Sequence, residues 1–213
     1  MNKKILVLGG LGYIGSHMVS LLCRQGYNVT VIDNLSNGRK NNPFASDVDF
    51  IESDISDIDT VRQVLKKNFF AVFHFAASIE AGESMINPTK YYKNNVANTI
   101  DFLNEAVSSS IKHIIFSSTA AIYGEPKKIP ICEEHEKSPV NIYGHSKLII
   151  EEILQNYENI YGLNCGRLRY FNACGSDYKN NLGECHLPET HLIPLLMQYA
   201  NGRRKEFYVY GKD

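Results

Sequence analysis

Tyr143 and Lys147 stand four residues apart in Tyr-Gly-His-Ser-Lys, where a stretch that reads as a helix begins. That spacing puts both side chains on one helix face. An ammonium beside a phenol stabilises the phenolate and draws its pKa down from about 10 toward working pH, so Tyr143 could serve as a general base. An isolated Tyr and Lys at this spacing is more often an ordinary exposed helix face. This pair, however, follows Ser117-Ser118-Thr119, which close a strand, and in open parallel sheets ligands gather beyond the carboxyl ends of the strands.

A second signal lies near the start. Gly9-Gly10-Leu11-Gly12-Tyr13-Ile14-Gly15 joins a short apolar run to another helix, fitting G-x-G-x-x-G through Gly10, Gly12 and Gly15 and G-x-x-G-x-x-G through Gly9, Gly12 and Gly15. Glycine permits the tight turn and lets the backbone reach a pyrophosphate, whose charge then sits at the helix N-terminus. Alone the pattern is weak. Asp33 strengthens it, because a carboxylate about 20 residues on, at the end of the next strand, accepts from ribose hydroxyls and repels a 2′-phosphate. The pair points to NAD rather than NADP; the plain alternative is that Asp33 is a turn residue before Asn34.

These residues need a scaffold of strands and helices. Short β-branched runs alternate with longer amphipathic stretches, as in a parallel sheet covered by helices. The pattern predicts strands at Lys4–Leu8, Asn28–Asp33, Val48–Glu52, Ala71–Phe75, His113–Ser117 and Asn164–Tyr170. It predicts helices at Tyr13–Gln25, Asp57–Lys67, Pro88–Ser108 and Tyr143–Tyr161, with a loop at Asn34–Asn42. The expected fold is an α/β doubly wound parallel sheet of Rossmann type. Beyond Asn172 the rhythm breaks into a loop, a helix over His191–Asn201 and a strand over Phe207–Tyr210, read as the beginning of a small substrate domain. The division expected is 1–171 for an NAD-binding domain and 172–213 for an incomplete substrate-binding region, since the end at Gly211-Lys212-Asp213 reads as interrupted.

Bulk properties narrow the function classes. With 213 residues, 44% hydrophobic and 21% charged, the chain can bury a sizeable core. A net charge of -1 with scattered Lys and Arg argues against a nucleic-acid partner, and Arg203-Arg204-Lys205 reads as a solvated face. The apolar start is too short for a signal or membrane segment, so a cytoplasmic protein without membrane association is expected. Five dispersed cysteines without a CxxC pair argue against a disulfide framework and a structural zinc site, and no metal is expected. His74 reads as a hydrogen-bonded structural histidine and Tyr91 and Tyr92 as packing, whereas Glu83 stays open between a helix-start carboxylate and a support for the site.

The glycine turn, Asp33, the strand-end Ser-Ser-Thr and the Tyr-Lys pair, in this order, resemble the extended short-chain dehydrogenase/reductases. Narrower motifs are similar to the UDP-glucose 4-epimerase series within them: Asp33-Asn34, Asp54-Ile55, His74-Phe75-Ala76-Ala77, Gly82-Glu83-Ser84, Tyr91-Tyr92-Lys93-Asn94-Asn95, Arg169-Tyr170-Phe171-Asn172 and His191-Leu192-Ile193-Pro194. The resemblance implies that Tyr143 is the base, that Lys147 holds the nicotinamide ribose and tunes Tyr143, and that Thr119 bonds the sugar 4-hydroxyl. It implies an NAD site lined by Gly9, Gly12, Tyr13, Ile14, Gly15, Asp33, Asn34, Asn37, Gly38, Asp54, Ile55, Phe75, Ala76, Asn95, Tyr143, Lys147 and Phe171. Thr119, Tyr143, Asn172, His191, Phe207 and Tyr208 would face the sugar nucleotide.

The activity so implied is reversible inversion at C4 of UDP-glucose and UDP-galactose with tightly held NAD, in a homodimer pairing helices near Lys90–Val107 and Ser146–Tyr161. In the family a further segment follows the position of Asp213. The chain is therefore expected to be C-terminally truncated, to bind NAD better than UDP-sugar and to turn over poorly. A 4,6-dehydratase is disfavoured, because Ala120 and Ala121 stand where those enzymes carry an acid and base pair. A non-catalytic NAD-binding fragment is the alternative from another class.

Overall fold

A computed structural model describes residues 3–38, 47–109, 111–186 and 189–209. Its centre is a six-stranded parallel sheet in the order β3-β2-β1-β4-β5-β6. The strands are β1 (Lys4–Leu8), β2 (Asn28–Asp33), β3 (Asp49–Glu52), β4 (Ala71–His74), β5 (His113–Thr119) and β6 (Asn164–Tyr170). Around it run α1 (Tyr13–Arg24), α2 (Ile58–Leu65), α3 (Ala81–Ile86), α4 (Pro88–Tyr91), α5 (Asn98–Ser108), α6 (Ile142–Tyr161) and α7 (Leu192–Ala200). This is the doubly wound architecture expected from the alternating pattern.

The strand period of two divides the core. Leu6 and Leu8 point into one cluster with Val61, Phe102, Ile150 and Leu154, so that face is covered by α2, α5 and α6. Ile5 and Val7 join Val19, Leu22 and Val31 on the other face, under α1. Strands buried on both faces must be nearly continuous apolar runs, and Ile5-Leu6-Val7-Leu8 and Val29-Thr30-Val31-Ile32 are buried throughout. Chemistry sets the stops: Gly26 leaves α1 at φ 78° and Gly162 leaves α6 at φ 68°, a region glycine enters without a Cβ penalty.

Four departures from the sequence reading follow. The helix expected over Pro88–Ser108 is three pieces, with a π-helical segment at Tyr92–Ala97 between α4 and α5. The short α3 was not anticipated. Beyond β6 a two-stranded antiparallel hairpin of β7 (Ser176–Asp177) and β8 (Leu182–Gly183) packs Leu182 into the core beside α1. The strand expected at Phe207–Tyr210 is not formed over Phe207–Val209, which have no strand beside them to complete a ladder among the described residues; Tyr210 and part of the Asn34–Asn42 loop lie outside those residues. No helix among the described residues is long and apolar enough to cross a membrane.

Candidate active site

The glycine turn occupies the point where strand order reverses, since β1 neighbours both β2 and β4. Such a switch point opens a crevice beyond the strand ends. Gly9 takes φ +73°, and a Cβ there would lie 2.6 Å from the Ala76 nitrogen. A Cβ on Gly15 would lie 2.1 Å from the Gly9 carbonyl oxygen, so the turn and the first coil of α1 touch through bare backbone. Gly12 begins α1 with no side-chain cap. The first-turn N–H groups of a helix have no internal acceptor and carry its positive end, and Tyr13 and Ile14 are placed in that turn.

Asp33 closes β2 beside this turn. Its carboxylate is buried and accepts the Leu11 N–H at 2.9 Å and the Leu35 N–H at 2.8 Å. Burial pushes its pKa up further than those two bonds pull it down. A carboxylate has about four lone-pair sites, so Asp33 can hold the turn and still accept from a ribose. Past it, Asn37 is exposed and Gly38 packs so close that a Cβ would meet Asp33 Oδ1 at 2.7 Å. Asn34 donates to Asp54 Oδ2 at 2.5 Å, joining the ends of β2 and β3. Burial raises the Asp54 pKa, but hydrogen bonds from Ser56 and Asn34 outweigh it and leave the group below its usual range. Ile55 is buried in the core, while Phe75 and Ala76 follow directly on β4 with their N–H groups donating to the Leu8 carbonyl at 2.8 and 3.1 Å.

The catalytic candidates meet at the end of β5. Asn141 caps α6, its side chain accepting the Gly144 N–H at 2.7 Å, and the Tyr143 N–H donates to the Ser84 hydroxyl at 3.1 Å. A Cβ on Gly144 would lie 2.6 Å from the Ala121 carbonyl, so this glycine lets α6 press against the turn after β5. The Thr119 hydroxyl accepts the Ala121 N–H at 3.1 Å and is close enough to the Tyr143 phenol to draw its pKa down. Lys147 Nζ donates to the Ser117 carbonyl at 2.8 Å and lies 6.0 Å from the Tyr143 ring centroid.

One expectation about this set is corrected. Burial pushes the Tyr143 phenol up, only partly offset by the Thr119 hydrogen bond, where the sequence suggested a lowered pKa. Lys147 is itself buried and pulled down to about 7. A motif gives the spacing of two groups but not their desolvation, and here desolvation dominates both.

Polar braces hold this set, among them Asn95, which the resemblance gave only as an NAD-site residue. Asn95, in the π-helical segment, accepts the Ser78 N–H at 2.8 Å and donates to the Ser78 carbonyl at 3.0 Å and the Ser146 hydroxyl at 3.1 Å. Its side chain therefore ties the loop after β4 to α6. Glu151 accepts from Ser118 at 2.5 Å and takes both arms of Arg169, at 2.9 and 2.7 Å, clamping β5 and β6 to α6. Ser84 and Arg169 stood inside the quoted motifs, but nothing in the sequence signalled Glu151. His74 is buried, within 3.1 Å of the Thr99 hydroxyl and edge-on to Phe102 and Phe116. Burial, aided by Lys147, pulls its pKa to about 3, so it is a neutral structural group. Of the two readings of Glu83 the structure bears out the helix-start carboxylate: it stands in the first turn of α3, and both its oxygens accept from Lys90 at 2.8 Å, beside Tyr91.

The residues read as facing a sugar nucleotide are less gathered. Phe171 and Asn172 are exposed just past β6. His191 caps α7, next to Thr190, whose hydroxyl donates to Glu80 at the start of α3 at 3.0 Å. Phe207 lies beside Tyr199 and Tyr208 bonds Glu206, both within their own segment. On the cofactor side, the Tyr13 hydroxyl donates to the Gly175 carbonyl at 2.8 Å, so the hairpin region rests on the glycine turn.

Residues 5–212 match the NAD dependent epimerase/dehydratase family. Over all of its 213 residues the chain is 45% identical to a UDP-glucose 4-epimerase of Rhizobium meliloti, covering 64% of that protein. It is 45% identical to the UDP-glucose 4-epimerase of Halalkalibacterium halodurans over 98% of this chain and 62% of that one. Among solved structures, a Brucella ovis UDP-glucose 4-epimerase in complex with NAD superposes with a TM-score of 0.95 at 46% identity, covering 99% of this chain and 65% of the other. The Bifidobacterium longum enzyme in complex with NAD+ and UDP gives 0.92 at 34% identity, covering 99% and 66%. The chain thus spans somewhat under two thirds of the length of these relatives.

Proposed function

The chain belongs to the NAD dependent epimerase/dehydratase family, and on that premise we propose that it is the cofactor-binding and catalytic part of an NAD-dependent epimerase interconverting UDP-glucose and UDP-galactose. The observation that carries this reading is the convergence of Thr119, Tyr143 and Lys147 at the end of β5, with the Thr119 hydroxyl close enough to draw the phenol pKa down and the ammonium on the Ser117 carbonyl. The residues fit the cofactor: Gly9 and Gly15 leave no room for a Cβ, α1 starts uncapped, and buried Asp33 retains acceptor capacity beside the turn. Gly12, Gly15, Tyr13 and Ile14 would hold the pyrophosphate, Asp33, Asn34, Asn37 and Gly38 the adenosine ribose side, and Asp54, Ile55, Phe75, Ala76, Asn95 and Phe171 the flanks.

NAD, when bound, supplies a hydride acceptor that returns the hydride to the other face of C4. The protein's part is proton handling and orientation. Tyr143 takes the 4-hydroxyl proton with Thr119 bridging, then gives it back after the keto sugar has turned. Lys147 holds the nicotinamide ribose and keeps positive charge near the phenol, which favours its ionised form against the burial that opposes it. Ala120 and Ala121 supply no second proton donor, so the chemistry stops at inversion rather than elimination.

The finer reading assigns 1–171 to the NAD-binding domain and 172–213 to the substrate-binding region, where Asn172, His191, Phe207 and Tyr208 would meet the sugar nucleotide. It places the enzyme in the cytoplasm, in galactose metabolism, as a homodimer through the helices at Lys90–Val107 and Ser146–Tyr161. The test is to release bound nucleotide by denaturation, identify it, and incubate the native protein with UDP-galactose. Stoichiometric NAD with UDP-glucose formed, reduced roughly 10²- to 10⁴-fold by Tyr143→Phe, supports the reading; absence of NAD would refute it.

A further inference from the structure

Between β8 and α7 the sequence Gly-Glu-Cys-His-Leu-Pro-Glu-Thr-His places Glu184, His186, Glu189 and His191 at successive spacings of two, three and two. Their ligand atoms all lie within 4.8 Å of one another. We propose that these four side chains bind one divalent transition-metal ion of the zinc class. The inference does not depend on the epimerase reading.

The distances suit such an ion. His191 Nδ1 is 2.9 Å from Glu184 Oε1 and 3.2 Å from Glu189 Oε1, and His186 Nδ1 is 3.4 Å from Glu184 Oε1. A tetrahedral ion with metal–ligand bonds of about 2.0–2.2 Å separates its ligands by roughly 3.3–3.6 Å, so small side-chain shifts would complete the shell. Two imidazoles and two carboxylates form a mixed nitrogen and oxygen set suited to zinc, cobalt or nickel rather than to calcium or magnesium.

A plain hydrogen-bonded cluster accounts for His191 but not for His186. His186 has a side chain only 9% exposed, and its buried Nδ1 makes no hydrogen bond although Glu184 Oε1 is 3.4 Å away. Burying a polar nitrogen without a hydrogen bond is unfavourable, and an ion joining it to the two carboxylates would satisfy it. Glu184 and Glu189 are also largely covered, with side chains 9% and 6% exposed. Among the described residues no other group of His, Cys, Asp and Glu converges in this way. A search of the sequence for cysteine pairs overlooks it.

Bound metal would fasten the residue after β8, whose Leu182 is anchored in the core, to His191 at the start of α7. It would thereby fix the path of the chain from the cofactor turn toward the substrate region.

The test uses the full chain without an affinity tag, freed of metal by a chelator and titrated with Co²⁺. One four-coordinate Co²⁺ per chain should give visible d–d absorption, displaced by Zn²⁺, and Zn²⁺ should raise the melting temperature. His186→Ala and the conservative Glu189→Gln should each weaken Co²⁺ binding at least about 100-fold, beyond the loss of an outer-shell partner, and remove the Zn²⁺ shift; circular dichroism of both checks the fold. Cys185→Ser should leave the band intact, since Cys185 is exposed and outside the set. No d–d band, unchanged affinity in Glu189→Gln, or a band lost in Cys185→Ser would overturn the assignment.

Discussion

Lys147 donates its Nζ proton to the Ser117 carbonyl at 2.8 Å and lies 4.8 Å from the Phe116 ring centroid, almost wholly removed from water. The same hydrogen bond joins α6 to the end of β5, so the residue that would tune Tyr143 also holds the two elements together. Burial pulls its pKa from 10.5 to about 7. Between those values the folded chain binds fewer protons than the unfolded chain, so this group makes stability rise with pH. Wild type should therefore gain on Lys147→Met by roughly 3 kcal/mol from about pH 7 to about pH 9.5, since one proton's difference in binding is worth about 1.4 kcal/mol for each step of one in pH. Urea denaturation of both proteins at the two pH values measures it, and parallel curves would disprove the buried-lysine account.

The Glu151 clamp also makes stability rise with pH, but in the acid range. Burial raises the pKa of this carboxylate, but its bonds from Arg169 and Ser118 outweigh burial and leave it depressed. Its contribution is thus present above the ordinary glutamate pKa and lost as pH falls through the lowered value. Glu151→Ala strands a half-buried guanidinium and should cost about 3–5 kcal/mol at neutral pH, with much of the loss recovered in Glu151→Leu combined with Arg169→Met. Chemical denaturation of the single and double variants decides this. Equal losses in both would mean that the ion pair itself, rather than the stranded charge, sets the cost.

Gly15→Ala forces a methyl to within 2.1 Å of the Gly9 carbonyl oxygen, which is backbone and cannot swing away. Overpacking of this kind costs about 1–3 kcal/mol. If the displaced turn is the pyrophosphate cradle, NAD affinity falls by roughly 5- to 150-fold. Isothermal titration with NAD reads this, with Gly82→Ala as the control because nothing lies within 4 Å of a Cβ there.

Asn95 is 2% exposed with its amide shared between Ser78 and Ser146. Asn95→Ala leaves those backbone and hydroxyl groups without their partner and should destabilise the fold by roughly 2–4 kcal/mol. Thermal and urea unfolding check the value. A change under about 0.5 kcal/mol would make Asn95 a surface residue in energetic terms.

Much of this arrangement is legible in the sequence because it rests on patterns of period two or on backbone necessity. Apolar runs gave β1 and β2 their bounds, and the glycine turn reads correctly since Gly9 and Gly15 sit where no Cβ fits. What escapes is non-local. The π-helical segment at Tyr92–Ala97 has no compositional mark, and the contacts its Asn95 makes with Ser78 and Ser146 join residues 17 and 51 positions apart. The hairpin at Ser176–Gly183 has only two residues per strand, too short for any alternation to register. The ionisation of Tyr143 and Lys147 follows from how deeply α6 and β5 bury them, and the spacing of the motif does not carry that quantity.

The central claim, oxidation and re-reduction at sugar C4 with the hydride kept in the site, is tested most directly with UDP-galactose carrying deuterium at C4 in ordinary water. The account predicts UDP-glucose that retains the deuterium at C4. Product in which that deuterium has been replaced by solvent hydrogen would contradict it, because the reaction would then proceed by proton exchange rather than hydride return.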